Sequence, residues 1–340
     1  MTNLKQEQIM KNWNVNNSDS PLVSVRCMTY NHEPYIANAL DGFLIQKTNF
    51  PFEIIVHDDA STDNSADIIR EYEAKFPKII KSIYETENLY SKHDGSLGRI
   101  MDSACKGKYI AFCEGDDYWI DENKLQKQVD FLENNPEYSM CYGKVQQYYE
   151  EEKKFSTVLF GAPFFDYKAL IYGSNPVPTL SVCLRSDFYK KYSSLELGKN
   201  QNWLMGDYPL WIYLAHDTNI KFMDEVFGVY RILKNSASHS VDITKRIRFQ
   251  KSKNDISNYF CKLYHLPEID WDENKALFDI LYLDLMENDY TDEIVSQLKK
   301  AYKEIKAITG REKIIRFAVS CKWIFLLYKK IYYFLRNVRA

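Results

Sequence analysis

The sequence predicts an α/β fold in which a mostly parallel sheet carries helices on both faces. Two observations lead to this prediction. In the first half of the chain, short apolar runs of strand length alternate with segments whose apolar residues recur at helical spacing. Carboxylates follow directly after two of these runs, the position at which open α/β sheets bind ligands. A helical region without this alternation follows residue 240.

The first two strand–helix units follow one another closely. "LVSVRCM" (22–28) has the length and composition of a buried strand, and after "TYNHEP" the apolar residues of 35–43 fall on one helical face. "EIIVH" (53–57) predicts the second strand. Residues 61–63 offer side-chain oxygens that can cap the helix predicted by the apolar spacing over 68–76.

Further units continue the alternation. The sequence predicts a strand at 79–84, a short helix at 100–105 and a strand at 108–114 that ends on carboxylates. "ENKLQKQVDFLENN" (122–135) has apolar residues at helical spacing and precedes a strand-like run at 138–143. Strands that alternate with helices in this way indicate a parallel sheet with both faces covered.

Composition restricts the class of protein. The 340 residues are 45% hydrophobic and 27% charged, which is typical of a globular protein, and the net charge of −3 argues against a nucleic-acid binder. The seven cysteines form no CxxC pair and no apolar leader opens the chain, so we expect free thiols in a reducing cytoplasm. No uncharged apolar run is long enough to predict a transmembrane helix.

We divide the chain into three parts: a loose polar arm (1–20), the α/β domain (21–240) and a helical region (241–340). Residues 311–340 contain eight Lys or Arg and one Glu among bulky apolar and aromatic residues. This pattern is typical of an interfacial helix that contacts an anionic membrane. The alternative is a terminal helix that packs on the core or on a second subunit.

The carboxylates after the second and fourth strands are expected at one edge of the sheet. They are Asp58 and Asp59, and then Glu114, Asp116 and Asp117. Because carboxylates gathered in one place repel each other, a cation or hydrogen-bond donors must stabilise them. Mg²⁺ and Mn²⁺ prefer oxygen ligands and often bridge carboxylates to substrate phosphates.

Nothing in the sequence provides the usual glycine-rich phosphate loops. It has neither GxGxxG nor GxxxxGK[ST], which disfavours dinucleotide-binding and Walker-type sites. We therefore predict a divalent metal that bridges these carboxylates to a diphosphate. The alternative for Asp58 and Asp59 is capping of the following helix.

At these residues the sequence resembles a known family. "VSVRCMTYNHEPYIANAL", "EIIVHDDASTD", "GKYIAFCEGDDYW" and "NWLMGDYPLWIYL" resemble, in order and spacing over roughly residues 20–240, the motifs of the inverting nucleotide-sugar glycosyltransferases of family 2. The resemblance implies a GT-A fold, Mn²⁺ or Mg²⁺, and transfer of a sugar from a nucleoside diphosphate to a hydroxyl group.

The resemblance also implies a nucleotide site. Thr29, Tyr30 and Asn31 would contact the nucleotide, and Asp58 and Asp59 would recognise its base. A carboxylate can accept a hydrogen bond from N3–H of uracil or from donors on guanine, and the Tyr30 ring can pack on the base. Among these a UDP-sugar is the favoured donor.

"EGDD" corresponds to the metal-binding D-x-D element of the family, with Glu114 where an Asp is often found. Glu114 would then lie near the ribose, and Asp116 and Asp117 would hold the metal directly or through water. Asp116 would also contact the donor. Arg99 precedes this strand and would pair with a phosphate oxygen or with one of these acids.

"LMGDYPLW" supplies the catalytic candidate, because Asp207 matches the general base of the family. It also stands where a helix N-cap is expected, and both roles can hold. In "GVYRILKNSASHS", Arg231 would contact phosphate and His239 would complete the metal shell; His239, like His32, can equally be a surface residue. The aromatic-rich loop 161–181 would bind the acceptor or contribute to the core.

The hypothesis is a metal-dependent inverting glycosyltransferase. Its acceptor would be a glycan, most plausibly polyprenyl-diphosphate-linked, in surface-polysaccharide assembly at the inner face of the cell membrane. Two alternatives stay open. A sugar-nucleotide nucleotidyltransferase would be expected to carry a glycine-rich phosphate loop near the first strand, where "MTYNHEPY" has none. A non-catalytic scaffold that binds nucleotide sugars would not need Asp116, Asp117 and Asp207 intact.

Overall fold

The computed structural model describes residues 4–14, 20–92, 94–197, 202–234, 240, 242–287 and 290–339, and their side chains except those of 287 and 333–339. The chain divides into two compact units. The first consists of residues 1–202 and 206–232, and the second of residues 203–205 and 233–340.

Nine strands in the described part of the chain form one sheet in the first unit, with the order β3-β2-β1-β4-β8-β6-β9-β5 and β7 paired to β6. They are β1 (Val23–Thr29), β2 (Phe52–Asp58), β3 (Ile80–Tyr84), β4 (Tyr109–Phe112), β5 (Tyr118–Trp119), β6 (Tyr138–Tyr149), β7 (Lys154–Phe160), β8 (Cys183–Arg185) and β9 (Asn219–Ile232).

The sheet is parallel in its first half and mixed in its second. β1 pairs in parallel with β2 and β4, and β2 with β3, so the carboxyl ends of these strands lie at one edge. β8 runs antiparallel to β4 and β6, and β9 is parallel to β6 but antiparallel to β5. The predicted α/β class is confirmed. Each antiparallel pair contains at least one of the strands β5, β7, β8 and β9, which are short or half-buried and have no long continuous apolar run.

Thirteen helices lie in the described residues. They are α1 (Gln6–Ile9), α2 (Ile36–Leu44), α3 (Ser65–Lys75), α4 (Ser96–Ala104), α5 (Lys124–Asn134), α6 (Tyr167–Tyr172), α7 (Ser186–Ser194), α8 (Tyr208–Asp217), α9 (Ile243–Leu263), α10 (Glu273–Glu287), α11 (Asp292–Glu304), α12 (Gly310–Ala318) and α13 (Lys322–Arg339). The predicted helical C-terminal region is thus confirmed.

Strands β1 and β2 are covered on both faces. Every side chain of β2 is buried, and in β1 only Met28 is partly exposed. Most of the side chains in both strands are apolar, although Ser24, Arg26 and Glu53 are polar, and short segments of this composition predict strands, which is how the sequence identified both within one residue at each end. These two strands fix the position at which the loops of the candidate site begin.

The N-terminal arm differs from the expectation of a loose segment. Ile9 is buried in the core of the first unit, and Leu4, Met10 and Trp13 pack against that core. The indole Nε1–H of Trp13 donates a hydrogen bond to Thr48 Oγ1 at 3.0 Å. Single apolar residues dispersed among polar ones gave no sequence pattern, although they are sufficient to attach residues 4–14 to the domain.

The second unit has a helical core of its own. Phe278, Leu285, Leu298 and Phe325 are buried together, and they come from α10, α11 and α13. Between α9 and α10, Arg246 Nη1 donates to both carboxylate oxygens of Asp284 at 2.6 and 2.8 Å. None of the helices in the described stretches is both long and apolar enough to cross a membrane.

Candidate active site

Asp59 is held inside the protein by backbone hydrogen bonds. Its two carboxylate oxygens accept from the N–H groups of Leu89 and Tyr90 at 2.7 and 2.9 Å, and the side chain is buried. Its own N–H donates to Thr29 O at 2.9 Å. Asp59 therefore fixes the segment that follows β3 against the end of β1, and its predicted contact with a base stays a prediction.

Asp58 differs from its neighbour in keeping one oxygen without a partner. Oδ2 accepts from Ser61 N at 3.2 Å, as in the capping alternative. Oδ1 is buried and has no hydrogen-bond partner among the described residues. Because an unpaired buried carboxylate oxygen is unfavourable, this atom is suited to accept a hydrogen bond from a ligand.

The loop after β1 is tied to the loop after β2. Asn31 adopts the left-handed conformation (φ 55°). Its side-chain oxygen accepts from Thr62 N at 2.7 Å, and its N–H donates to Ser61 Oγ at 2.9 Å. Thr29 is buried, whereas the Tyr30 ring is exposed. Within this predicted nucleotide-contacting group, Tyr30 is thus the side chain that is open to stack on a base.

The "EGDD" turn packs directly on the end of β1. Gly115 N donates to Met28 O at 2.9 Å, and Asp117 N donates to Glu114 O at 3.2 Å. A Cβ atom at Gly115 would lie 2.3 Å from Thr29 Oγ1, a distance that real Cβ contacts do not reach. Glycine at this position therefore allows the carboxylates after β4 to approach those after β1 and β2.

Asp116 and Asp117 have different surroundings. Asp117 is buried, and its Oδ1 accepts from Arg231 N at 2.8 Å. Burial and the neighbouring charge of Asp116 raise the pKa of Asp117 well above its usual range. Asp116 is partly exposed, and its Oδ2 lies 3.9 Å from His32 Nε2. His32 Nδ1 is itself buried without a partner in the described residues.

Arg231 lies beneath this turn. Its Nη1 donates to Asp116 O at 2.7 Å, and its guanidinium carbon is 4.9 and 4.8 Å from the ring centroids of Tyr35 and Tyr118. Glu150 Oε2 is 3.5 Å from its Nε. These contacts position the turn through Arg231, and the predicted contact of its guanidinium with phosphate stays a prediction.

The structure brings the catalytic candidate close to the carboxylate cluster. Burial, followed by the charges of Asp116 and then Asp207, raises the pKa of Glu114 to about 7. Asp207 is the N-cap of α8, and its Oδ1 accepts from Tyr208 N at 2.8 Å. Both readings of Asp207, helix cap and member of the site, therefore fit its position.

Thr179 was missed by the sequence reasoning. Its Oγ1 donates to Asp207 Oδ2 at 2.7 Å and so orients the carboxylate. The two residues are 28 positions apart, and no pattern in the sequence connects them. Only folding of the segment before β8 brings this hydroxyl group to the site.

The remaining site residues are less constrained. Arg99 is exposed on α4, and its Nη1 donates to Asp94 O at 2.9 Å, within its own loop. His239 lies outside the described residues. The predicted acceptor loop 161–181 contains helix α6 and a 3₁₀ turn at Thr179–Ser181. It exposes Phe165 but buries several other apolar residues, so it serves in part as core.

The donor set fits a hard divalent cation. Glu114, Asp116 and Asp117 are oxygen donors, and the charge of Asp116 adds to burial in raising the pKa of Glu114 and of Asp117, a repulsion that a cation would relieve. Across the described part of the chain, no three His, Cys, Asp or Glu side chains form a group that could hold a metal by themselves. Mg²⁺ and Mn²⁺ commonly bind through one or two carboxylates together with phosphate oxygens of a substrate.

Comparisons with known proteins agree with this architecture. Residues 24–191 match the family model described as Glycosyl transferase family 2. An uncharacterized protein of Mycobacterium tuberculosis, Rv1520, is 44% identical over 235 residues, which cover 68% of this chain and 64% of the relative. The chain thus spans under two thirds of the length of that relative.

Two further proteins are informative. The UDP-Glc:alpha-D-GlcNAc-diphosphoundecaprenol beta-1,3-glucosyltransferase WfaP of Escherichia coli is 28% identical over 223 residues, 64% of this chain and 80% of WfaP. The mannosyltransferase PcManGT from Pyrobaculum calidifontis, solved in complex with GDP-Man and Mn²⁺, has a TM-score of 0.53 at 15% identity over 95% of this chain and 93% of its own. At this identity the structural likeness shows the fold alone.

The sheet, with carboxylates gathered at the ends of its parallel strands, is that of a GT-A domain. The domain that residues 24–191 form belongs to glycosyl transferase family 2.

Proposed function

We propose that this protein transfers a sugar from a nucleoside-diphosphate sugar, favouring UDP, to a hydroxyl group of a lipid-linked glycan with inversion at the anomeric carbon. One observation carries the proposal. Asp207 lies close enough to Glu114 to raise its pKa, and Glu114 belongs to the turn that holds Asp116 and Asp117. The candidate general base, Asp207, thus lies near the turn that contains the candidate metal ligands, which supports one common site.

Asp58 would recognise the nucleobase of the donor. Its buried Oδ1 has no described partner and can accept from N3–H of uracil, and the exposed ring of Tyr30 can pack on the base. Asp59 would act indirectly, because its oxygens already bind Leu89 N and Tyr90 N. The UDP-Glc in the name of WfaP supports the preference for UDP.

Asp116 and Asp117 would hold a divalent cation together with the diphosphate. When bound, Mg²⁺ or Mn²⁺ neutralises the negative charge that accumulates on the leaving diphosphate. Mn²⁺ is present in the PcManGT complex, which supports the choice of metal. Arg231 would keep the turn in place through its hydrogen bond to Asp116 O, and Arg99 would meet a phosphate oxygen from the helix before β4.

Asp207 would act as the general base. It would accept the proton of the acceptor hydroxyl while the hydroxyl oxygen attacks the anomeric carbon. The bond from that carbon to the diphosphate oxygen breaks, and the nucleoside diphosphate leaves with the electron pair. Because attack and departure occur on opposite faces, the configuration inverts. Thr179 would hold Asp207 in the productive orientation.

The acceptor would be a polyprenyl-diphosphate-linked sugar, as in the name of WfaP, in surface-polysaccharide assembly. The exposed aromatic ring of Phe165 in the 161–181 segment would suit a sugar face. No disulfide joins any of the seven cysteines, all of which lie in the described residues, and this fits action in a reducing cytoplasm.

The decisive test replaces Asp207 by Asn. Asn is as good an N-cap as Asp, so α8 stays intact while the base is lost. We expect turnover with a UDP-sugar and a GlcNAc-diphospholipid acceptor to fall by about 10²- to 10⁴-fold. Stabilisation by UDP and Mn²⁺ against thermal unfolding should be unchanged, at about 2.7 kcal/mol for ligand at 100 times its Kd.

Asp130→Asn, on the exposed face of α5, is the matched control and should behave as wild type in both assays. Full turnover by Asp207→Asn would reject this base assignment. Nucleotide binding without any transfer by the wild type would favour a scaffold, and release of pyrophosphate from a nucleoside triphosphate and a sugar phosphate would favour a nucleotidyltransferase.

A further inference from the structure

The last two helices of the second unit expose a row of large apolar side chains. On α12, Ile314 and Phe317 are 59% and 68% exposed; on α13, Trp323 and Leu327 are 79% and 60% exposed, and Ile331 follows one turn later. Residues three or four apart share one face of a helix. We call these five side chains the apolar row.

The apolar row is not a consequence of poor packing. Ile315, Val319 and Phe325, on the same two helices, are fully buried in the core of the unit. Each helix is therefore held from one side and presents large apolar groups on another. Monomeric proteins seldom expose several large apolar side chains on consecutive helices without a partner.

The charges around the apolar row have one sign. Residues 310–332 contain six basic residues and one acid, Glu312, so the stretch carries +5. Glu312 is buried and accepts a hydrogen bond from Thr309 N, and Arg311 Nη1 lies 3.7 Å from its Oε1 and 2.6 Å from Asp279 Oδ1, so these acids pair with Arg311 rather than with the lysines of the stretch. Lys313 lies four residues before Phe317, and Lys330 lies three after Leu327, which places both on the faces of the apolar row.

We propose that the apolar row and its lysines form a docking surface for an anionic lipid bilayer. Apolar groups enter the boundary between head groups and acyl chains, and the lysines pair with lipid phosphates. A second copy of this chain would be a poor occupant, because two identical positively charged surfaces would repel each other. The inference goes beyond the proposed function and depends only on these exposed side chains.

The test is co-sedimentation of the full chain with vesicles of phosphatidylcholine alone or with about 30 mol% phosphatidylglycerol. We expect binding to the anionic vesicles to be at least about tenfold stronger than to the neutral ones. It should weaken between about 0.1 M and about 0.5 M salt, because screening acts on the lysine contacts.

Two double variants remove one component each. Trp323→Gln with Leu327→Gln removes the apolar contact, and Lys313→Glu with Lys330→Glu reverses the charge. Each should lower binding to anionic vesicles by at least about tenfold. Because all four side chains are exposed, circular dichroism and thermal unfolding should match the wild type.

The controls change similar residues elsewhere in the same unit. Leu263→Gln with Leu283→Gln replaces exposed leucines of α9 and α10, and Lys299→Glu with Lys300→Glu reverses exposed lysines of α11. Both controls should bind as the wild type does, because their changes lie outside the apolar row and its lysines.

Equal binding to neutral and anionic vesicles, no binding to either, or the same loss in the controls would overturn the proposal. A dimer in light scattering that Trp323→Gln with Leu327→Gln converts to a monomer would overturn it as well, and would identify a second copy as the occupant. Stabilisation by UDP and Mn²⁺ is measured on the same samples, so failure of membrane docking can be separated from failure of the proposed function.

Discussion

In each of the two Asp-Asp pairs at the carboxyl edge of the sheet, one aspartate is held by the backbone and the other is open to further contacts. Asp58 ends β2 and Asp59 follows it, Asp116 and Asp117 follow β4, and β2 and β4 lie on either side of β1. In each pair the second aspartate is bound by backbone N–H groups. The first keeps a carboxylate oxygen for other contacts: Asp58 Oδ1 has no described partner, and Asp116 Oδ2 has His32 at 3.9 Å.

This difference shows that the two aspartates of one motif can have different roles, one structural and one in ligand contact. The N–H groups that bind the second aspartate of each pair come from distant parts of the chain, so two adjacent acids meet different surroundings. One is directed into the protein and fixes a loop, whereas the other is available to a ligand. The predictions below test these two roles and the interactions around them, from the largest expected effect to the smallest.

The largest effect is expected for Asp116→Asn. Loss of a charged oxygen donor at the proposed metal site should lower turnover by about 10²- to 10³-fold and abolish the Mn²⁺-dependent part of UDP stabilisation. Asp58→Asn should instead keep the response to Mn²⁺ and weaken the preference for UDP over CDP. Turnover and thermal shifts measured with Mn²⁺ or EDTA separate the two. An unchanged Mn²⁺ response in Asp116→Asn would contradict the assignment.

Asp59→Ala should mainly affect folding. It removes the acceptor for Leu89 N and Tyr90 N, and buried N–H groups without partners cost about 3 kcal/mol of unfolding free energy in total. Asp67→Ala, which removes an exposed ion pair with Arg70 on α3, should cost less than about 0.5 kcal/mol. Urea denaturation measures both. Equal midpoints for Asp59→Ala and wild type would show that Asp59 is not structural.

A buried charge remote from these pairs tests how strongly burial alone acts. Lys124 is fully buried, its Nζ lies 4.1 Å from the Trp119 ring centroid, and burial lowers its pKa to about 8. Between this value and the unfolded pKa of 10.5, the unfolded chain binds more protons, so stability rises with pH.

From about pH 7 to about pH 9.5, the wild type should therefore gain about 2 kcal/mol of unfolding free energy relative to Lys124→Met. The comparison with the variant cancels the titration of other groups. Denaturant unfolding at several pH values gives both curves. Parallel curves would show that Lys124 titrates with an ordinary pKa.

The smallest effect is expected at Thr179. Thr179→Val keeps the shape but removes the hydrogen bond to Asp207 Oδ2, worth about 1 kcal/mol, so kcat should fall about fivefold. The KM for the donor should not change, because Thr179 orients the base and does not bind the nucleotide. Thr179→Ser restores the hydroxyl group and should restore kcat. A loss of kcat that Ser does not rescue would indicate a packing defect instead.

Much of the first half of the sheet could be predicted from local sequence. Strands β1, β2 and β4 are buried on both faces and are rich in apolar residues, although β1 also contains Ser24 and Arg26. The second half could not be predicted in the same way. β7 and β9 are half-exposed and contain charged residues, and α6 is a short helix within a segment predicted as a loop. Long-range pairing with β6 stabilises β7 and β9 where local propensity does not.

The sequence by itself determined where the carboxylates of the candidate site would gather. A strand that ends on carboxylates is a local feature, and parallel strands bring such ends to one edge by geometry alone. The tertiary structure decided which carboxylates are free. The N–H groups that bind Asp59 are 30 and 31 positions away, and the one that binds Asp117 is 114 positions away. A hydrogen bond acts over about 3 Å, so no local pattern in the sequence contains these partners.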